Sequence, residues 1–133
     1  MNYPDLLYIA VGGALGAVAR YLLSTWIYSR VEQIYPFGTF VVNMLGCFLL
    51  GLIFKLILEK SIMSSELRLM ITVGIIGAFT AFSTFSLETL TLFRENNITT
   101  ALLYVGASIV VGLLAVWLGV VTANVSMRLT MGG

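Results

Sequence analysis

The chain reads as an all-α membrane protein with four transmembrane helices per protomer, and three observations carry that reading. Apolar residues fill 59% of the 133 positions and charged residues only 10%, at a mean hydropathy of +1.03; a soluble domain carries about 25% charged residues. A hydrocarbon core about 30 Å thick needs roughly 20 apolar residues in helix, and residues 6–27, 37–58, 67–93 and 101–123 each supply such a run. The charges gather between the runs: Arg30 and Glu32, then Glu59, Lys60, Glu66 and Arg68, then Arg94 and Glu95. No linker or low-complexity tract interrupts them, so residues 1–133 form one four-span unit with both termini on the same side.

Composition also excludes. A net charge of +1 offers no bulk attraction for nucleic acid. The absence of histidine removes most zinc sites and many general bases. The single cysteine, Cys47, cannot make an intrachain disulfide. No nucleophile arrangement, ATP motif or hydrolytic metal centre is visible, and no enzymatic activity is expected.

Span one opens with "MNYPDLLYIAVGG", which carries Asp5 and no basic stretch ahead of the apolar run. That argues against a cleaved signal peptide and for a retained first helix. Gly12 and Gly16 form a GxxxG pair, Gly13 and Ala17 repeat it one step on, and Ser108, Gly112 and Gly119 recur in span four. Small residues of this kind let helix backbones approach closely in lipid, so they read as packing. Arg20 is long enough to snorkel towards headgroups.

Span two follows Pro36, which stands where it cannot interrupt the helical ladder. Its polar residue is Asn43 in "GTFVVNMLG". An asparagine amide in mid-span either bonds a neighbouring helix or faces a wet cavity. Span three is the densest case, with "GIIGAFTAFSTF" over residues 74–85. Thr80 and Thr84 are spaced to share one helix face and Phe82 and Phe85 another. Gly74 and Gly77 precede them, and together with the threonine hydroxyls they predict a helix that opens near mid-membrane. Such an opening is tolerated only where it is buried in protein or lines a cavity, and its freed carbonyls suit a hard cation such as sodium. The phenylalanines read either as packing or as rings whose positive edges attract an anion weakly. Conduction needs binding weak enough to release the ion, and rings interleaved with hydroxyls and an amide fit that demand. Glu88, too short to reach far, is expected to bond hydroxyls or a cation.

Orientation follows the Lys and Arg count in short connections. Lys55, Lys60, Arg68 and Arg128 lie towards the termini; Arg30, Arg94 and Arg20 lie towards the other side. Four against three is almost no bias. Either a weak bias is overridden by other signals, or the chain inserts both ways and assembles as an antiparallel dimer. Four helices in one protomer leave little room for an internal aqueous path, which places any conduit between protomers.

"GGALGAVARY", "GTFVVNMLG" and "GAFTAFSTFSLE" together resemble the Fluc/CrcB family of fluoride channels. The resemblance covers the whole chain, in length, span number, and the order and spacing of all three motifs. It implies an antiparallel, dual-topology homodimer in the bacterial cytoplasmic (inner) membrane, with two fluoride pores and a structural sodium ion at the dimer centre. It further implies that Asn43 donates to fluoride and that Phe82 and Phe85 are the rings contacting the ion. Ser83, Thr84 and Ser108 match hydroxyl-bearing pore positions, with Thr39, Glu88 and Tyr104 on the pore side. Backbone carbonyls of Gly77 and Thr80 match the sodium ligands, and Arg20 a basic residue at or near a pore entrance. The family usually reads GG-x-TT-FSTF; Ala78 and Ala81 depart from it. Ala81 lacks a hydroxyl, which leaves no side-chain role there but does not touch a carbonyl role for Thr80.

Two other classes remain in view. A small multidrug-resistance type exporter has similar size and symmetry, but it depends on a glutamate within span one, where this chain has glycine and alanine; Glu88 would have to serve instead. As a structural subunit of a larger complex, the chain would use Asn43 and the phenylalanines for packing alone.

Overall fold

The computed structural model describes residues 2–60 and 63–132; the side chains of Leu58 and Lys60 fall outside that description, and with them the place of Lys60 in the charge count and the expected end of span two. All regular structure among the described residues is helical. Helix α1 is Tyr3–Tyr28, with Pro4 in its first turn, where a missing amide costs nothing. Helix α2, Phe37–Lys60, starts directly after Pro36. A third crossing is composite: α3 (Ser65–Leu69), a wide π turn (Met70–Ile76), the short α4 (Gly77–Phe79) and α5 (Phe82–Arg94). The Ser64 side chain caps its start by accepting the Leu67 amide at 3.2 Å. Asn96, in left-handed conformation at φ 59°, then turns the chain into α6, Ile98–Met131; asparagine tolerates that region better than most residues.

Four helical stretches are long and apolar enough to cross a membrane: Tyr3–Tyr28, Phe37–Ile57, Ser65–Arg94 and Ile98–Met131. Three of them contain the expected runs 6–27, 67–93 and 101–123, and the second follows the run 37–58 as far as Ile57; one difference is of size. Helix α6 has 34 residues rather than the expected run of 101–123; at about 1.5 Å per residue it is roughly 50 Å long, well beyond an apolar core of about 30 Å. Polar residues such as Ser126, Arg128 and Thr130 continue the helix because they fit helical geometry, although hydropathy does not mark them as span.

Between α4 and α5 the helical ladder lapses. Thr80 is extended at φ −77°, ψ 153°, and Ala81 follows at φ −139°, ψ 79°. Thr80 and Thr84 therefore do not share a helix face, contrary to the spacing argument, because residue 80 is not helical. Nor do the glycines supply the unusual dihedrals: Gly77 is an ordinary right-handed residue at φ −60°, and no glycine among the described residues has positive φ. The unforeseen π turn lies just before the lapse and shifts the register of the crossing.

The glycines act by close approach instead. A Cβ on Gly12 would run into the carbonyl of Met70, and one on Gly16 into that of Ile75, so α1 lies directly on the π turn. Helix α2 packs along α6 in the same way: a Cβ on Gly51 would strike the Val116 carbonyl, and one on Gly119 the Phe48 carbonyl. Helix α5 joins α6 through a cluster of Leu92, Ala101 and Tyr104, flanked by Tyr35, Phe40 and Phe85. Many large apolar side chains point outwards, as Leu113 and Trp117 do at 70% and 60% exposure, a distribution suited to lipid or a second chain.

Overpacking a helix contact costs about 1–3 kcal/mol. Gly119→Ala is expected to lower stability by that amount in denaturant titration of the detergent-solubilised protein. Gly13→Ala, with nothing within 4 Å of the added carbon, is expected to change it far less.

Candidate functional site

The lapse in the third crossing is held by one side chain. In a continuous helix the Ala81 amide would donate to the Gly77 carbonyl; here it donates to Asn43 Oδ1 on α2, at 2.7 Å. An amide donor requires an oxygen acceptor, so the Asn43 side chain is oriented with Oδ1 towards Ala81. Its Nδ2 donors point elsewhere and make no hydrogen bond among the described residues. The Gly77 carbonyl loses its helical partner and, among the described residues, is approached by the Thr80 hydroxyl at 3.5 Å. Thr80, being extended, carries its own carbonyl out of the ladder.

Beside this lapse, on the protomer's flank, lies a cavity of about 360 Å³. Asn43, Gly77, Thr80, Phe82, Phe85 and Ser108 line it, so six of the residues singled out in the sequence meet there. Cys47 and Met44, which were not singled out, also border it; an apolar side chain in an apolar span carries no signal. Among the described residues no charged side chain lines the cavity. Ser108 Oγ is a buried hydroxyl without a hydrogen-bond partner among the described residues, and buried polar atoms are rarely left so. Phe82 and Phe85 stand 5.7 Å apart with their planes at 40°. They are not equivalent: Phe85 is half-buried against Tyr104, at 4.9 Å, whereas Phe82 is 79% exposed.

The remaining expected residues, Ser83 apart, fall into two other groups. Arg20 lines a groove of about 250 Å³ with Ser24, Thr39, Ala81 and Thr84. Glu88 forms the third group. Its Oε1 accepts from the Thr39 hydroxyl at 2.7 Å and the Tyr28 hydroxyl at 2.8 Å, and its Oε2 accepts from the Tyr104 hydroxyl at 2.7 Å. Hydrogen bonds to an ionised acceptor are the strong kind. Glu88 thus bonds hydroxyls, as its short reach suggests. Thr39 and Tyr104 are both buried, and Tyr35 packs edge-on against the Tyr104 ring at 5.3 Å. Burial raises the Tyr35 phenol above its ordinary pKa, so it stays a neutral ring. Ser83 is exposed on the first turn of α5, outside all three groups. Sequence reading missed Tyr28, because a tyrosine at the end of a span ordinarily belongs to the aromatic belt at the membrane surface.

Asn43→Ala would leave the Ala81 amide unpaired, which costs about 1–3 kcal/mol. The expected result is a loss of that size in stability and faster hydrogen exchange at the Ala81 amide than in the parent. An unchanged exchange rate there would show that Asn43 does not hold the lapse.

Residues 7–120 match the model of the family described as CrcB-like protein, Camphor Resistance (CrcB). Proteins named fluoride-specific ion channel FluC are similar along most of their length. The one from Acidobacterium capsulatum is 48% identical over 118 residues, covering 89% of this chain and 94% of that protein. Its counterpart from Geobacter metallireducens is 46% identical over 116 residues, covering 87% and 94%, and that from Hydrogenovibrio crunogenus is 46% identical over 120 residues, covering 90% and 91%. These relatives carry the name of a channel rather than an enzyme. A match over this much of the chain, on four helices fit to span a bilayer, establishes the protein as a multi-pass membrane protein belonging to the CrcB-like family.

Proposed function

We propose that the chain is a fluoride-selective channel, passive in mechanism, that lets fluoride leave the bacterial cytoplasm and so confers fluoride resistance. One observation carries the reading beyond kinship. The flank cavity holds hydrogen-bond donors unpaired within the protomer, Asn43 Nδ2 and Ser108 Oγ, among aromatic rings and without a charged residue. A small, strongly hydrated anion needs donors to replace its lost water. A fixed cation would trap it, whereas neutral donors and ring edges release it again. HF crosses lipid uncharged and ionises inside, so an acidic exterior loads the cell with fluoride. A channel returns the anion down its gradient, aided by a negative interior.

The cavity opens on a flank, and Phe82 projects from it. This supports an antiparallel, dual-topology homodimer in the inner membrane, with two pores between the protomers and the lapse at Thr80 near mid-membrane. Asn43, Phe82, Phe85 and Ser108 then line the path. Thr39, Tyr104 and Glu88 lie beside it, Ser83 and Thr84 on the same helix turn, and Arg20 at an entrance. A structural sodium ion at the dimer centre fits the donor set. Gly77 has lost its helical partner and Thr80 carries its carbonyl outside the ladder, and hard carbonyl oxygens are sodium ligands. The ion would neutralise carbonyls brought together from two chains. An exporter that turns over on a free carboxylate is less well supported, since three hydroxyls already engage Glu88.

The deciding experiment loads proteoliposomes with fluoride or chloride and follows anion efflux with a potassium ionophore and no proton gradient. Fast fluoride release and almost no chloride release are expected, with Phe82→Ile and Phe85→Ile each slowing fluoride at least about tenfold if a ring contact worth ~1.4 kcal/mol is lost. Chloride leaving as readily as fluoride would sink the selectivity, and unchanged flux in both variants would return the rings to packing. For topology, reporters fused to the C-terminus should mark both sides of the membrane. A single orientation refutes the antiparallel dimer.

A further inference from the structure

We infer that Tyr28 is a positioning residue for ion passage: seated over Gly38, its hydroxyl holds Glu88 and Thr39 in one arrangement. The inference rests on the channel reading above.

Tyr28 is the last residue of α1, and among the described residues its side chain is the only one of that helix hydrogen-bonded to another span. Its Oη stands 2.8 Å from Glu88 Oε1, 3.1 Å from Thr39 Oγ1 and 3.3 Å from the Thr39 amide nitrogen. Hydrogen placement follows from the donors available. Both pairs run from a hydroxyl to a carboxyl oxygen, so the hydroxyl hydrogens of Tyr28 and Thr39 both point to Oε1. The contact between those two hydroxyl oxygens then has no hydrogen in it, and it is the longest side of the triangle. Tyr28 Oη uses a lone pair to accept the Thr39 amide. Every polar atom of Tyr28 and Thr39 in the cluster is thereby assigned.

The ring has a built seat. A Cβ on Gly38 would lie inside the space of the Tyr28 ring, so the ring covers that glycine and the start of α2. From there a line of contacts leads to the cavity. Glu88 Oε2 receives the Tyr104 hydroxyl, and the Tyr104 ring packs on Phe85, which lines the cavity beside Phe82. Without the Tyr28 hydroxyl, Oε1 keeps Thr39 as its single partner and Oε2 keeps Tyr104, so two hydroxyls instead of three hold the carboxylate and its orientation is less tightly set. Tyr28 itself does not line the cavity, so its effect passes through Glu88.

The test compares the parent, Tyr28→Phe, Glu88→Gln and the double variant in fluoride-loaded proteoliposomes, each checked as a monodisperse species. Tyr28→Phe is expected to slow fluoride efflux about tenfold, the scale of one lost hydrogen bond to a charged group. Gly38→Ala, which displaces the ring while keeping the hydroxyl, is expected to do the same. The double variant should be no slower than Glu88→Gln alone, since both changes act on one carboxylate. Infrared difference spectra give a readout separate from flux: the carboxylate band that Glu88→Gln removes should shift in Tyr28→Phe. A parent rate in Tyr28→Phe, slowing that multiplies with Glu88→Gln, or an unshifted band each overturns the inference. A parent protein that releases no fluoride overturns the channel reading instead, while the infrared band still decides whether Tyr28 holds Glu88.

Discussion

The hydrogen bond from the Ala81 amide to Asn43 Oδ1 is the constraint on which the rest of the site depends. Away from water a backbone amide without a partner costs several times the net worth of an ordinary hydrogen bond. A helix can therefore open inside a bundle only where another group takes over the pairing. Asn43 does so from the neighbouring helix, and the consequences spread from that point. Its oxygen is committed to the chain, so its amide hydrogens are left over. The Gly77 carbonyl is released, Thr80 becomes extended, and α5 starts afresh at Phe82. The direction of the new helix then sets where Phe82, Phe85 and Glu88 stand.

A second constraint fixes the middle of α5. Glu88 lies in a span, where an isolated carboxylate would be expensive. Three hydroxyls from three other helical crossings converge on it: Tyr28 from α1, Thr39 from α2 and Tyr104 from α6. The carboxylate thus ties the bundle together at one level, as Asn43 does at another. On the side of Asn43 away from Glu88, α1 meets the π turn and α2 meets α6 through glycine against backbone, which leaves little side-chain volume to adjust. Polar pairing sets direction here, and small residues set distance.

How much of this was legible in the sequence depends on the kind of signal. The four crossings were, because length and hydropathy are summed properties. Asn43, Phe82 and Phe85 were, because polar or aromatic residues stand out in an apolar run; the structure brings them to one cavity with Ser108, which read as packing by its spacing and as a pore position only through the family resemblance. The face shared by Thr80 and Thr84 was not, since spacing rules presuppose a helix and residue 80 is extended. The π turn was invisible because no residue type over Met70–Ile76 marks it; what accompanies it is a tertiary contact, α1 lying on Met70 and Ile75. Tyr28 was hidden for a related reason: its role depends on Gly38, Thr39 and Glu88, which are distant in the chain and adjacent only after folding.

The placement of charge follows from these constraints and bears on the proposed function. Arg20 and Glu88 are the charges nearest the middle of the bundle, and neither lines the cavity that holds Asn43, Ser108 and the ring pair. Glu88 is withheld from it by its hydroxyl partners, and Arg20 sits in a separate groove beside Thr84. An anion entering such a cavity meets partial charges only: amide hydrogens, a hydroxyl hydrogen and ring edges. Each is weak, and each is oriented by the fold before the ion arrives, so the ordering cost is already met. A full charge in the same place would bind harder and let go more slowly. On the channel reading, the bundle keeps its ionised groups one contact away from the path and lets neutral dipoles face it.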